Sequence, residues 1–131
     1  QVEGAGAFYL RNNEHVGLLV RLLREENVSH PGPLRAPLDS FTSRPRPTRP
    51  IPVWLGGGLN AETPTLAGRM GLPLMLPSVF APPDGFAPHI EAYRQAWAEA
   101  GHEGEPRLGA ICHCHVDVTP QAARAGFGPG K

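Results

Sequence analysis

The stretch Ile51-Pro52-Val53-Trp54-Leu55-Gly56-Gly57-Gly58 decides the fold. An apolar run this short, halted by three glycines, reads as a buried strand ending in a glycine turn. Downstream, a helix closes at Gly71 after Met70. Its start is ambiguous between Asn60 as cap and Thr63 as cap with Pro64 in the first helical position. Leu72-Pro73-Leu74-Met75-Leu76 repeats the strand signal and stops at Pro77-Ser78. Asp84 then caps a longer helix whose buried face is Phe86, Ile90, Tyr93 and Trp97, with Gly101 at its end. A third strand is expected from Leu108 to about Val118, and Thr119-Pro120 opens a last helix. Residues 51–124 thus read β-α-β-α-β-α. This alternation implies an α/β fold with parallel strands and right-handed crossovers. An open three-layer sheet and an arc of a (β/α)8 barrel both satisfy it.

Working outward, residues 12–27 carry a helical stripe of Val16, Leu19, Val20 and Leu23, with Asn12 or Asn13 as cap. Before it, Val2 to Phe8 reads as a strand end and tight turn. Residues 28–50 hold Pro31, Pro33, Pro37, Pro45, Pro47 and Pro50, which forbid a continuous helix or central strand. This segment is expected to cross a surface as an extended connection, with Arg35, Arg44, Arg46 and Arg49 solvated. Residues 125–131, rich in glycine and proline, make a flexible tail. The 131 residues suit a single domain, here an incomplete one.

Twelve basic residues balance twelve acidic ones, so charge gives no reason to expect a nucleic acid or an anionic membrane as partner. No apolar run approaches the ~20 residues that span a bilayer, and the N-terminus lacks a secretory signal. Gln1 is not an initiator residue, which suggests an incomplete sequence. Cys112 and Cys114 are too close for an unstrained disulfide, which points to reduced thiols and a cytoplasmic location.

Several segments, taken in order, resemble the luciferase-like monooxygenases. Arg44-Pro45-Arg46-Pro47 leading into Ile51 to Gly58 is similar to that family's proline-rich entry to a glycine-ended strand. Arg69 to Leu76 resembles its "GRLGLPLML" segment, Phe86 to Gly101 its "F…YR…AG" helix, and His113 to Ala122 its last barrel strand and threonine-led turn. The resemblance covers roughly residues 11–124. It implies a partial (β/α)8 TIM-barrel-like arc of about three β-α units, the C-terminal half of a flavin-dependent oxidoreductase binding FMN or the deazaflavin F420. A full barrel takes ~250 residues.

Glycines at a strand's C-terminal end let backbone N–H groups approach an anion, and a following helix start favours negative charge. With the resemblance, Gly57, Gly58, Leu59 and Asn60 become the expected cofactor-binding turn, holding the flavin phosphate. The other reading is a tight turn without a ligand. Leu59 stands where the family has glycine and Asn60 where it has threonine, and Pro77-Ser78-Val79-Phe80 replaces a small, glycine-containing loop. Ser78 there reads as a turn serine.

Cys112-His113-Cys114-His115 alternates along the expected strand, thiols on one side and imidazoles on the other, so its four ligands cannot converge on one metal ion. No metal is expected. His113 and His115 are the candidate catalytic residues, since neutral imidazole near a flavin or substrate suits proton transfer around pH 7. The other reading is a hydrogen-bonded buried histidine. The expected function is therefore a flavin-dependent monooxygenase or oxidoreductase acting on a small molecule, present as a fragment inactive alone. The alternatives are a non-catalytic truncated product and a small phosphate-binding α/β module. Half a barrel leaves two open sheet edges, through which the chain is expected to self-associate.

Overall fold

In the computed structural model, residues 4–32, 34–57 and 60–127 are described. Helix α1 runs Ala5–Arg24, strand β1 Val28–His30 and strand β2 Leu38–Phe41. Strand β3 (Leu55–Gly56), helix α2 (Glu62–Met70) and strand β4 (Leu74–Leu76) follow. The chain then makes a 3-10 turn at Pro83–Phe86, helix α3 (Ala87–Glu99), strand β5 (Leu108–Ala110) and helix α4 (Pro120–Gly126). β3, β4 and β5 form a parallel sheet in sequential order. That sequential, parallel order is the α/β arrangement expected from residues 51–124.

Parallel register places Leu55, Leu74 and Leu108 side by side, and Gly56, Met75 and Gly109 side by side. Strand side chains alternate between faces, so the leucine row faces the helices and the glycine–methionine row faces away. Leu55, Ala67, Leu74, Leu76, Phe86 and Tyr93 are the buried core, with Ile90 and Trp97 packed against it. All four residues of the predicted α3 face therefore take part in the core. The 3-10 turn at Pro83–Phe86 replaces the expected Asp84 cap, and no side chain caps α3.

Gly71 closes α2 in the left-handed conformation, as expected of a terminal glycine. The helix begins at Glu62, between the two starts considered. Asn60 Oδ1 accepts the Glu62 N–H at 3.2 Å. Pro64 falls in the third helical position, where a missing N–H leaves no intrahelical bond unmade. Thr119 caps α4 through the Ala122 N–H at 3.1 Å, with Pro120 in the first position, as its sequence indicated.

The N-terminal third differs from its sequence reading. Residues 5–10 are helical; Val2 lies outside the described residues. Ala5-Gly6-Ala7 offers no β-branched residue to hold a strand, and the adjoining helix simply continues through it. The helix ends at Arg24, where Glu25 turns extended, and Asn27 then takes a positive φ of 54°. Leu18 is buried, whereas Leu19 is 48% exposed, since cover on α1 comes from more than one direction. Residues 28–50 supply part of that cover. They form an antiparallel pair, β1 with β2, inside the expected connection. His30 Nε2 lies 2.6 Å from Glu14 Oε1 on α1. Arg46, expected in solvent, donates to the Leu22 carbonyl at 2.9 Å. A cation there meets the unpaired carbonyls and the negative end of the helix dipole.

Tyr93 carries a buried hydroxyl that ties strands to helix. It donates to the carbonyls of Leu72 at 3.0 Å and Arg107 at 3.3 Å, just before β4 and β5. Burial pushes the Tyr93 phenol above its ordinary value, and contacts with Arg107 offset this in part. Tyr93→Phe should lose about 1–3 kcal/mol by leaving the buried Leu72 carbonyl without that partner, while the Arg107 carbonyl keeps the Leu74 N–H at 3.0 Å. The pH dependence follows from the raised folded value. Below pH ~10 the phenol is neutral in both states; above it, only the unfolded state loses its proton freely. Stability should therefore fall from about pH 10 upward in the parent, and less steeply in Tyr93→Phe. Equal alkaline slopes in urea titrations would show that the phenol is not the group responsible.

Candidate functional site

The C-terminal ends of β3, β4 and β5 gather the glycine turn, Ser78 and Ile111. On the sheet face away from the helices, Trp54, Gly56, Met75 and Gly109 make an apolar floor. Arg107 stacks its guanidinium over Trp54 at 5.1 Å from the ring centroid, a cation–π contact that fixes the indole. A side chain at Gly109 would collide with Met75 Sδ at 2.8 Å and Trp54 Cζ3 at 3.2 Å. Met75 thus fills the space over Gly109. At Gly56, by contrast, an added Cβ meets nothing within 4 Å. The floor is therefore packed towards β5 and open towards β3.

The described residues of the expected phosphate turn, Gly57 and Asn60, are engaged. The Gly57 N–H donates to the Met75 carbonyl at 2.7 Å, continuing the β3–β4 ladder. Asn60 donates its amide to the Tyr9 hydroxyl on α1, and its carbonyl oxygen holds the Glu62 N–H. Gly58 and Leu59 lie outside the described residues. Glu62 also places a carboxylate in the first turn of α2, where an arriving phosphate would meet like charge. Gly57 and Asn60 thus have these polar groups engaged within the chain, whereas the floor at Gly56 is open. Ser78 donates to the Ile111 carbonyl at 2.6 Å, pinning its loop to the end of β5.

β5 is shorter than the expected strand from Leu108 to Val118. The Ile111 N–H still bonds the Leu76 carbonyl at 3.1 Å, but Pro77 then ends β4 and has no N–H to offer. With no neighbour to pair with, residues 111–117 carry no regular structure and are exposed. Cys112, His113, Cys114 and His115 therefore do not alternate along a strand here. His115 stacks on Phe127 with centroids 6.2 Å apart, and its Nε2 lies 3.9 Å from Asp117 Oδ2. Among the described residues, no group of three or more His, Cys, Asp or Glu side chains could hold a metal ion. Nor is any described helix long and apolar enough to cross a membrane.

Sequence reasoning missed Tyr9. It borders a groove of about 510 Å³ between α1 and α2, with Asn13, Glu62, Thr65, Leu66 and Arg69. Extending the helical spacing of Val16 and Val20 backwards through Asn13 to Tyr9 would have placed it on the same helix.

Comparison with known proteins bears on this arrangement. A sequence model of the family described as luciferase-like monooxygenase matches residues 3–129. The chain is similar in fold to the monooxygenase RslO1 from Streptomyces bottropensis, with a TM-score of 0.77 and 24% identity. The match covers 94% of this chain and 38% of that one, so the chain spans about two fifths of that protein's length. No curated protein matches the chain.

Proposed function

We propose, since the chain belongs to the luciferase-like monooxygenase family, that it is the flavin-facing part of a larger flavin-dependent oxidoreductase. The observation that carries this reading is the floor of Trp54, Gly56, Met75 and Gly109. It is apolar, lies on the sheet face away from the helices, and is open above Gly56. FMN, or F420 in its place, would rest its ring system there and supply the redox chemistry. This chain's residues would position the ring and exclude water from one side of it.

The turn Gly57 to Asn60 is the proposed phosphate-side segment of the complete protein, and it would have to release Asn60 from Tyr9 to serve. His113 and His115 remain the proposed proton carriers once their segment is paired as a strand. Alone, the 131-residue chain supplies about three β-α units, and it is proposed to be inactive for that reason. A small-molecule substrate would enter from the same strand ends.

The test is a fluorescence titration of the chain with FMN and, separately, with F420. One of the two should be quenched, and Gly56→Val should abolish that quenching by filling the open floor, where an added Cβ meets nothing within 4 Å. The chain should oxidise no substrate beyond the rate of free reduced flavin. Absence of quenching by both cofactors overturns the flavin reading. Unchanged quenching in Gly56→Val overturns the placement, and turnover above free flavin overturns the proposed inactivity.

A further inference from the structure

Asn60 and Tyr9 lie 51 residues apart in sequence, yet their side chains are hydrogen-bonded. The Asn60 side chain is held at both of its polar atoms. Its carbonyl oxygen accepts the Glu62 N–H at 3.2 Å, at the start of α2, and its amide donates to the Tyr9 hydroxyl on α1. The first bond is local and keeps the side chain in place. The second occupies the amide, which is the only part of an asparagine side chain able to donate to an anion. Tyr9 is the one polar residue from Gly4 to Leu10. Any side-chain hydrogen bond from the start of α1 to the turn must therefore come from this phenol.

Tyr9 also borders the groove of about 510 Å³ between α1 and α2. Asn13, one turn further along α1, and Thr65, in the first turn of α2, line the same groove. A phenol turned away from Asn60 finds there both space and polar groups. Tyr9 and Asn60 are half-buried, outside the core, so a change of rotamer at either leaves the packing of sheet and helices intact.

We infer that Tyr9 is a latch on the cofactor turn, competing with the cofactor's phosphate for the Asn60 amide. This rests on the flavin reading above and adds to it the residue that sets how strongly the phosphate counts. The amide–phenol bond is neutral on both sides, whereas a bond to a phosphate oxygen is charge-assisted and roughly twice as strong. The phosphate therefore displaces the phenol. Its apparent affinity is lowered by the share of molecules in which the amide is held. With its carbonyl oxygen still on the Glu62 N–H, Asn60 stays placed after release and α2 need not move. Tyr9 is thus a positioning residue that acts through Asn60.

Riboflavin is FMN without its phosphate, and the deazaflavin core of F420 lacks that cofactor's phosphate. Fluorescence titrations of the chain with each such pair isolate the phosphate's share of binding. Tyr9→Phe keeps the ring and removes the hydroxyl. It should tighten the phosphorylated cofactor about two- to ten-fold, the factor that corresponds to one neutral hydrogen bond net of water. The phosphate-free partner should bind as it does to the parent. Asn60→Asp keeps an acceptor for the Glu62 N–H but has no amide, and should bind the phosphorylated cofactor no better than the phosphate-free one. Adding Tyr9→Phe to Asn60→Asp should then change neither affinity.

A merely structural role for Tyr9 would move both members of a pair together, and that result would overturn the proposal. So would weaker binding of the phosphorylated cofactor in Tyr9→Phe, which would make the phenol itself a ligand. If the parent binds the phosphorylated cofactor and Tyr9→Phe leaves its affinity unchanged, the latch alone falls. If the parent binds no member of either pair, the flavin reading falls and the latch with it.

Discussion

Replacing Gly68 with alanine should destabilise the chain by about 1–3 kcal/mol or more, although alanine is the better helix former. In an exposed helix interior the exchange would gain about 1 kcal/mol. Gly68 is not such a position: it is buried where α2 meets α3. A Cβ there would stand 2.5 Å from the Tyr93 carbonyl oxygen, 2.7 Å from Ala96 Cβ and 2.9 Å from the Trp97 nitrogen. Two of the three are backbone atoms of a helix, which cannot swing aside as a side-chain tip does. The helices must separate, and that would disturb Tyr93, whose hydroxyl holds the starts of two strands. A marginally stable domain has roughly 5–15 kcal/mol in hand, so the loss should lower the urea midpoint plainly. Gly17→Ala supplies the contrast. It lies within α1, where an added Cβ meets nothing within 4 Å. That variant should be neutral to about 1 kcal/mol more stable. If both variants shift the same way, the close approach of α2 and α3 is wrong.

Leu74→Ala should lose about 2–5 kcal/mol, the range for a fully buried leucine cut to alanine. Leu74 is the middle residue of the leucine row on the middle strand, with no exposed surface. Its neighbours are held on both sides by hydrogen-bonded strands and above by two helices, so the cavity cannot readily collapse. Leu74→Met, which conserves volume, should stay below about 1.5 kcal/mol. Chemical denaturation of the three proteins reads the difference. A Leu74→Ala loss no larger than that of Leu74→Met would mean that the sheet does not pack as described.

These two positions show what the sequence could and could not convey. Leu74 was legible: it sits mid-way in an apolar run bounded by glycine and proline, and such runs become buried parallel strands. Gly68 was not, because a glycine inside a helical pattern reads the same whether its missing side chain faces solvent or another helix. The α3 face and the Thr119-Pro120 start were legible because cap chemistry and 3.6-residue spacing are local. The β1–β2 pair escaped because its contacts join residues 28–30 to 38–41 across a proline-rich stretch whose composition argues against strands. The third strand was over-extended for a related reason. Alternation shows what residues 110–118 are suited to, but a strand also needs a neighbour, and the pairing edge of β4 ends at Pro77. At the candidate site, the glycine turn was legible as a place but not as a state. The capture of Asn60 by Tyr9 depends on a helix that begins seven residues earlier than the spacing suggested.

The Tyr93 hydroxyl has a consequence for how this sequence can change. It fixes the strands at their N-terminal ends, while the glycine turn, Ser78 and the end of β5 lie at the opposite ends. That hydroxyl thus adds to the backbone ladder a tie remote from the described loops that would meet a ligand. Mutations at the ligand end are buffered from folding, and the chain can drift there without losing its scaffold. Pro77, which departs from the family pattern, lies at that end. Tyr93, by the same logic, is a position where drift should be punished even in copies that no longer perform any chemistry.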